Sequence, residues 1–235
     1  MLILTRHGES EWNRDNRFAG WADIDLTPRG IQQMWDVGVQ LERSQLVPDV
    51  AFISKLRRSH ASHDVLLKAM RRESIPVRSD WRLNERHCGA MTGLSKAIAV
   101  DLYGASAVFR WRRSFDAVPP ALEAQENLNL FGQAYDLPID RLPNGESLAQ
   151  VVDRVNLCWR QVLLPALSGE KCVLVTAHGN SLRALMMLIE SISEAEIVSL
   201  EVANAVCLVY QLAASGRSVR AFEFRPSIET PSIIL

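Results

Sequence analysis

The sequence predicts an α/β fold, a three-layer sandwich whose mostly parallel central sheet is flanked by helices and interrupted by a long lid-like insertion. Apolar runs of strand length alternate with stretches of helical period along the chain, as expected of helices packed on a mainly parallel sheet. The chain has 235 residues, 48% hydrophobic and 23% charged, which is the composition of an ordinary globular protein with enough surface to bury a core without disulfides or metal. From 116 to 145 the pattern dissolves into Pro119-Pro120, Gly132, Pro138 and Pro143-Asn144-Gly145. A segment of that length inside a folded unit reads as a functional cover. One domain over 1–235 is therefore expected, with the insertion at about 111–145.

Strands are predicted at 2–5, 50–54, 77–83, 172–177, 205–212 and 219–224. The first helix opens at Thr27-Pro28, a hydroxyl cap before a proline at the first helical position, and places Ile31, Met34, Trp35, Gly38 and Leu41 on one face. A second begins near Glu146, where Leu148, Val151, Val152, Val155, Cys158, Trp159 and Val162 recur at spacings of three and four. A third starts at Gly179-Asn180-Ser181 and runs through Leu188.

Lys plus Arg number 26 against 27 Asp plus Glu, a net charge of −1 that argues against nucleic-acid or membrane-surface partners. The balance hides a basic middle: nine Lys and Arg face four acids between 54 and 87, whereas 114–150 holds six acids and one arginine. An anionic small molecule suits such a middle, although most of these charges read as solvated helix faces. Cys88, Cys158, Cys172 and Cys207 lie apart without a C-x-x-C pair and read as buried thiols of a reducing compartment. The apolar start at 1–4 is too short for a signal core and no later run reaches membrane length, so a cytoplasmic protein is expected.

Two strand ends look alike. One run ends in Arg6-His7-Gly8-Glu9-Ser10 and another in His178-Gly179-Asn180-Ser181, each setting a histidine where parallel sheets bind their ligands. A glycine after each histidine would let backbone N–H groups approach a ligand, and the helix after His178 adds the positive end of its dipole. Arg6 contributes a planar fork of donors that matches phosphate oxygens. A neutral imidazole is a competent nucleophile near pH 7 and can carry a phosphoryl group. Such transfer asks for positive charge on the equatorial oxygens, available from Arg6 and from Lys55-Leu56-Arg57-Arg58, and for a carboxyl group of raised pKa to move protons, for which Glu85 is the candidate. The sequence holds no acidic cluster for a metal.

Arg6-His7-Gly8-Glu9-Ser10-Glu11-Trp12-Asn13 with Asn16-Arg17-Phe18 and Gly20-Trp21 resembles the opening of the cofactor-dependent phosphoglycerate mutases of the histidine phosphatase superfamily. Leu83-Asn84-Glu85-Arg86-His87, Gly93-Leu94 with Lys96, Trp111-Arg112-Arg113, Pro119-Pro120, Glu146-Ser147-Leu148 and Ala177-His178-Gly179-Asn180-Ser181-Leu182-Arg183 continue the match in order. The resemblance implies a phosphorylated His7, with Arg6, Arg58, His178 and the Gly179 backbone around the phosphoryl group and Glu85 as general acid and base. It implies that Asn13 and Gly20, with Asn180, line the phosphate site. Lys96, Arg112 and Arg113 would hold the substrate's carboxylate and its other phosphate. The implied reaction interconverts 3-phosphoglycerate and 2-phosphoglycerate in glycolysis and gluconeogenesis, primed by 2,3-bisphosphoglycerate without a metal. Partners would be small phosphorylated metabolites, with a homo-oligomer allowed. The chain departs from the family at Cys88, where tyrosine is usual, at Ala19, where a hydroxyl is usual, and at Ala203-Asn204-Ala205 and Cys207, which replace a Pro-Thr-Gly turn and a second proline.

Two further activities share these residues: a phosphatase in which water accepts the phosphoryl group, and a phospho-ligand binder without turnover. The second anion site favours the mutase, because a simple phosphatase has no need of Lys96, Arg112 and Arg113. His60 and His63 read as helix-face residues without a third metal ligand, Arg57 as solvated, His87 as support for the Glu85 loop, and Trp12, Trp21 and Trp35 as packing.

Overall fold

The computed structural model describes residues 1–131, 137, 142–168, 171–212 and 218–225. Strands β1 (Leu2–Arg6), β2 (Val50–Ile53), β3 (Val77–Ser79) and β4 (Val173–Ala177) run parallel, while β5 (Cys207–Leu212) runs against β1 and β6 (Ser218–Phe224) against β5. Across the sheet the order is β3-β2-β4-β1-β5-β6. The helical elements in chain order are α1 (Glu11–Arg14), α2 (Pro28–Arg43), α3 (Arg57–Met70), α4 (Lys96–Tyr103), α5 (Ala105–Arg113), α6 (Ala124–Phe131), α7 (Leu148–Cys158), α8 (Leu164–Leu167), α9 (Gly179–Glu190) and α10 (Glu194–Ile197).

Side-chain alternation along the strands makes the three layers. Leu2, Leu4, Phe52, Val173 and Val175 pack with Val151 and Val155 of α7 and Leu182 and Leu185 of α9. Ile3, Ala51 and Leu174 pack on the other face with Met34, Val37 and Leu41 of α2 and Leu66, Leu67 and Met70 of α3. Each Val, Leu, Ile, Phe or Met side chain among them contributes about 1.5 to 3 kcal/mol when fully buried, so both faces anchor the strand ends firmly. The Thr27 side chain accepts from Gly30 N ahead of Pro28, the cap that the sequence indicates, and Ser147 forms a capping box with Gln150. No helix among the described residues is long and apolar enough to cross a membrane. All four cysteines are buried and free.

Four local expectations are corrected. The strand expected over 77–83 stops at Ser79, because the Asp80 side chain accepts from Arg82 N and starts a tight turn over Trp81–Leu83. On α2 the buried stripe is Gly30, Met34, Val37, Gly38 and Leu41, while Ile31 and Trp35 are 46% and 40% exposed, so Trp35 is not packing. The stretch 116–145 contains a helix: Asn127 and Phe131 of α6, four apart, are buried, and Asn127 Nδ2 donates to Pro143 O at 3.0 Å. The rest of the expected insertion, 132–136 and 138–141, lies outside the described residues. His63 is a buried residue rather than a helix-surface one.

Candidate active site

Because β1, β2, β3 and β4 are parallel, their carboxyl ends and the loops that follow open on one side of the sheet. β1 delivers Arg6 and His7 there, β4 delivers His178, β2 delivers Ser54 with Arg58 on the first turn of α3, and the turn after β3 delivers Glu85. These residues surround a cavity of about 370 Å³ lined by Arg6, His7, Asn13, Gly20, Arg58, Glu85, Lys96, Arg112, Arg113, Gly179 and Asn180. His178 stands directly behind, its ring centroid 5.0 Å from that of His7. The twelve residues singled out in the sequence are thus brought to one place. Arg57 turns to solvent and pairs with Asp23 and Asp25.

His7 Nδ1 lies 2.7 Å from Gly8 O. A carbonyl only accepts, so Nδ1 carries the proton and the lone pair is on Nε2. Burial first, then the charges of Arg58 and Arg6, hold the His7 pKa well below 6.5. His178 is likewise depressed, by burial, Arg58, His7 and Arg6. Both rings are therefore neutral at pH 7. His178 Nε2 meets Ser54 Oγ at 2.7 Å, and its Nδ1 is buried without a partner among the described residues.

Gly8 is corrected in its role. Its N–H donates to Ser62 Oγ at 3.1 Å and is not free for a ligand. A Cβ on Gly8 would come within 2.2 Å of Gly30 O, and one on Gly30 within 2.0 Å of Glu9 O. The two glycines let the loop after β1 lie backbone to backbone on the first turn of α2.

Arg58 is 1% exposed and donates to the carbonyls of Gly20 and Ala22, both at 2.8 Å. Arg6 donates to Val202 O at 2.6 Å, and its buried Nε has no partner among the described residues. Glu85 Oε1 accepts from Arg86 N at 2.7 Å, Asn180 Nδ2 at 2.8 Å and Asn180 N at 3.2 Å, which leaves Oε2 for chemistry. The expected raised pKa of Glu85 is not found. Burial pushes the carboxyl up, but the Arg86 amide, Arg6, Asn180 and Arg58 together outweigh it and hold the group below its ordinary value. An anion that occupied Arg6 and Arg58 would weaken that pull.

The far wall is cationic. Burial and then Arg112, Arg6 and Arg113 pull the Lys96 ammonium down to about 8, and burial with Arg113 lowers Arg112. Arg113 pairs with Glu201, which also lines the cavity. Cys88, Ala19, Ala203 and Asn204 line it too, so three of the departures from the family pattern face the ligand space.

Several supporting residues were missed. Arg154 of α7 donates to both oxygens of Glu146, at 2.7 and 3.0 Å, and to the carbonyls of Arg82, Asn84 and Glu85 at 2.7, 3.0 and 3.0 Å. It thereby fixes the turn that carries Glu85. A charged residue inside the stripe Leu148, Val151, Val155, Cys158 was the available signal. Glu146 in turn accepts from His87 N at 2.8 Å, and the His87 ring packs edge-on against Trp21 and Phe131, so His87 does support the Glu85 loop. Ser54 and Glu201 carried no local signal, whereas Arg86, Arg183 and Asn204 stand in segments singled out in the sequence without a role assigned to them. Among the described residues no group of three or more His, Cys, Asp or Glu is arranged to hold a metal.

Fold and site together define a three-layer α/β protein with a paired-histidine, arginine-lined anion pocket at the carboxyl ends of its parallel strands. The profile of the histidine phosphatase superfamily, branch 1, matches residues 2–224, and the chain belongs to that superfamily. It is 41% identical over 226 residues to the 2,3-bisphosphoglycerate-dependent phosphoglycerate mutase of Hamiltonella defensa subsp. Acyrthosiphon pisum (strain 5AT), covering 94% of this chain and 90% of that one. Among solved structures it is similar to a mycobacterial glucosyl-3-phosphoglycerate phosphatase complexed with VO3, at TM-score 0.70 and 25% identity over 94% of this chain and 96% of the other. It also shares its fold with the alpha-ribazole phosphatase of Shigella flexneri, at TM-score 0.69 and 20% identity over 97% and 98% of the two chains.

Proposed function

We propose that the chain is a phosphoglycerate mutase that interconverts 3-phosphoglycerate and 2-phosphoglycerate through a phosphorylated His7, in the cytoplasm and within glycolysis and gluconeogenesis. The observation that carries this reading is the second cationic group, Lys96, Arg112 and Arg113, on the same cavity as the His7 and His178 pair. A phosphate ester with no second anionic group needs the histidine end alone. A phosphoglycerate, anionic at both ends, uses both. The 41% identical relative supports the same choice.

The cavity fits a bisphosphorylated primer on its own chemistry. At one end the buried Arg6 Nε and His178 Nδ1 have no partner among the described residues, and at the other Lys96 stands with Arg112 and Arg113, its pKa lowered by burial first and then by their charges. Arg6, Arg58 and Gly179 would hold one phosphate, with Asn13, Gly20 and Asn180 beside them, and Lys96, Arg112 and Arg113 the second. When bound, 2,3-bisphosphoglycerate supplies the phosphoryl group that loads His7.

From the loaded state the residues divide the work. Glu85, ionised as its neighbours hold it, takes the proton of the substrate hydroxyl on Oε2. The hydroxyl oxygen bonds to phosphorus as the bond to His7 Nε2 breaks, and that electron pair returns to the ring. Arg6 and Arg58 stabilise the equatorial oxygens throughout. In the return step Nε2 attacks the other phosphate, and Glu85 gives its proton to the departing oxygen.

A second reading is favoured by one observation. Cys88 and Ala19 bring no side-chain oxygen donor to the cavity, so water has easier access, and the same residues would then act as a phosphatase on small phosphorylated metabolites. Purified protein incubated in EDTA with 3-phosphoglycerate and catalytic 2,3-bisphosphoglycerate separates the two. The mutase forms 2-phosphoglycerate faster than free phosphate; the reverse order, or activity restored only by a divalent ion, refutes the proposal.

A further inference from the structure

We propose that Asn204, on the turn before β5, is a positioning residue: its side-chain amide sets how both His7 and Asn13 are presented to the phosphoryl group. The inference rests on the reading of His7 as nucleophile and extends it to a residue of the Ala203-Asn204-Ala205 turn, where the chain departs from the family pattern.

Asn204 Nδ2 lies 3.1 Å from His7 O, 3.3 Å from Gly8 O and 3.2 Å from Asn13 Oδ1. One amide group therefore serves three acceptors. Gly8 O is the carbonyl that receives His7 Nδ1–H, so Asn204 steadies the group that decides which ring nitrogen keeps its lone pair. Asn13 Oδ1 also takes Ser10 N at 3.1 Å and Ser10 Oγ at 2.9 Å. With that oxygen surrounded by donors, the Asn13 NH2 is left for the cavity it lines. The backbone of the same turn completes the clasp. Ala205 N donates to Arg6 O at 3.1 Å and His7 O at 3.2 Å, and Arg6 N donates to Val206 O at 3.1 Å.

The chemistry dictates the residue type. Every atom that Asn204 Nδ2 faces is an acceptor, so position 204 must donate. Asn204→Asp keeps the shape and reverses the interaction, setting a carboxylate against three oxygens. Asn204→Ala removes the donor without repulsion, and Asn204→Ser keeps a hydroxyl donor. If the side chain merely tied the turn to β1, loss of activity would follow loss of folding. A positioning role also changes the reaction of His7 in molecules that remain folded.

The test uses the full-length protein and radiolabelled 2,3-bisphosphoglycerate as phosphoryl donor, and reads the single-turnover rate of phosphohistidine formation from pH 5 to 9. Binding of inorganic phosphate and the melting temperature are measured beside it. The expected order of labelling rates is wild type, Ser, Ala, Asp, with Ala down about tenfold and Asp about a hundredfold, each step near 1.4 kcal/mol. The groups already facing the His7 ring are Arg6 on β1, Arg58 on α3 and His178 before α9. A carboxylate added at 204 favours the imidazolium, so the acid limb of the rate profile should move to higher pH in Asn204→Asp and stay in place in Asn204→Ala. Equal rates in folded wild type and Asn204→Ala overturn the inference, as do losses that track the melting temperature with no shift of the acid limb. If Asn204→Asp does not fold, the Ala and Ser rates decide alone. A wild type that takes up no label, or a labelled His7→Ala, overturns the reading of His7 and this inference with it.

Discussion

Replacing Arg154 with methionine removes a guanidinium that no substrate touches, yet it should cripple both stability and turnover. The Arg154 and Glu146 side chains are only 7% and 5% exposed, and their paired bonds are 2.7 and 3.0 Å long. Methionine retains the apolar stem but leaves the Glu146 carboxylate buried beside a single backbone donor, His87 N. Breaking a buried ion pair from one side costs about 3 to 5 kcal/mol. The carbonyls of Arg82, Asn84 and Glu85 lose a donor as well, at about 1 to 3 kcal/mol for each that stays dry, although relaxation of the turn keeps these from adding in full. Against a total of about 5 to 15 kcal/mol for a domain, a loss near 5 is measurable by urea unfolding at 15 °C. Turnover should fall further than the folded fraction does, because the three carbonyls carry the Glu85 turn. Glu146→Gln added to Arg154→Met removes the stranded charge and should recover about half of the lost stability. A loss under about 1 kcal/mol, or a double variant no more stable than the single one, refutes the reasoning.

Burial first, with His60 beside it, draws His63 from 6.5 to about 4, and burial likewise draws His87 to about 4. Their stabilising effect is therefore complete above about pH 6.5, where the unfolded chain also holds them neutral, and is lost as pH falls toward 4; by pH 4.5 the pair should cost roughly 5 kcal/mol. Equal urea midpoints at pH 7.5 and 4.5 would contradict this, and His63→Leu should remove about half of the dependence. Glu201→Gln, which frees Arg113 from its partner, should lower KM for 3-phosphoglycerate about two- to fivefold at low salt and less at high salt, because the Glu201 side chain is mostly exposed. An unchanged KM would place the second anion site elsewhere. Cys88→Tyr with Ala19→Thr adds hydroxyl donors to the cavity wall and should lower both KM and the ratio of bisphosphoglycerate hydrolysis to mutase turnover, each useful bond contributing about 1.5 to 3 kcal/mol. No change in either quantity would mean that Cys88 and Ala19 are neutral replacements.

The strands were legible because residues such as Val173, Leu174 and Val175 are buried on both faces of the sheet and must be apolar without interruption. Helix α6 was not. Its Ala-Gln-Glu-Asn-Leu-Asn run forms a helix only because Asn127 and Phe131 find partners at Pro143 and His87, which no local pattern announces. His7 and His178 stood out because each follows an apolar run and precedes a glycine. Ser54, Arg154 and Asn204 act on groups 124, 69 to 72 and 191 to 197 positions away, so their roles emerge only when the chain has folded. The Glu85 pKa was misjudged for a related reason. Burial was foreseeable, whereas the Arg86 and Asn180 donors that outweigh it were not.

Gly8 and Gly30 touch through their backbones at distances that leave no room for a methyl group on either one. A methyl group on Gly8 would strike the Gly30 backbone and one on Gly30 the backbone of Glu9, so trimming a side chain can relieve neither change. Gly30 lies outside the ligand cavity and carries no functional group, yet Gly30→Ala would push the loop after β1, and His7 with it, off its seat. A survey of single substitutions scored by growth or activity would rank Gly30 beside the histidines. What such a ranking would register at that helix is the clearance between two chain segments, and a reader hunting for reactive groups would be looking at a spacer.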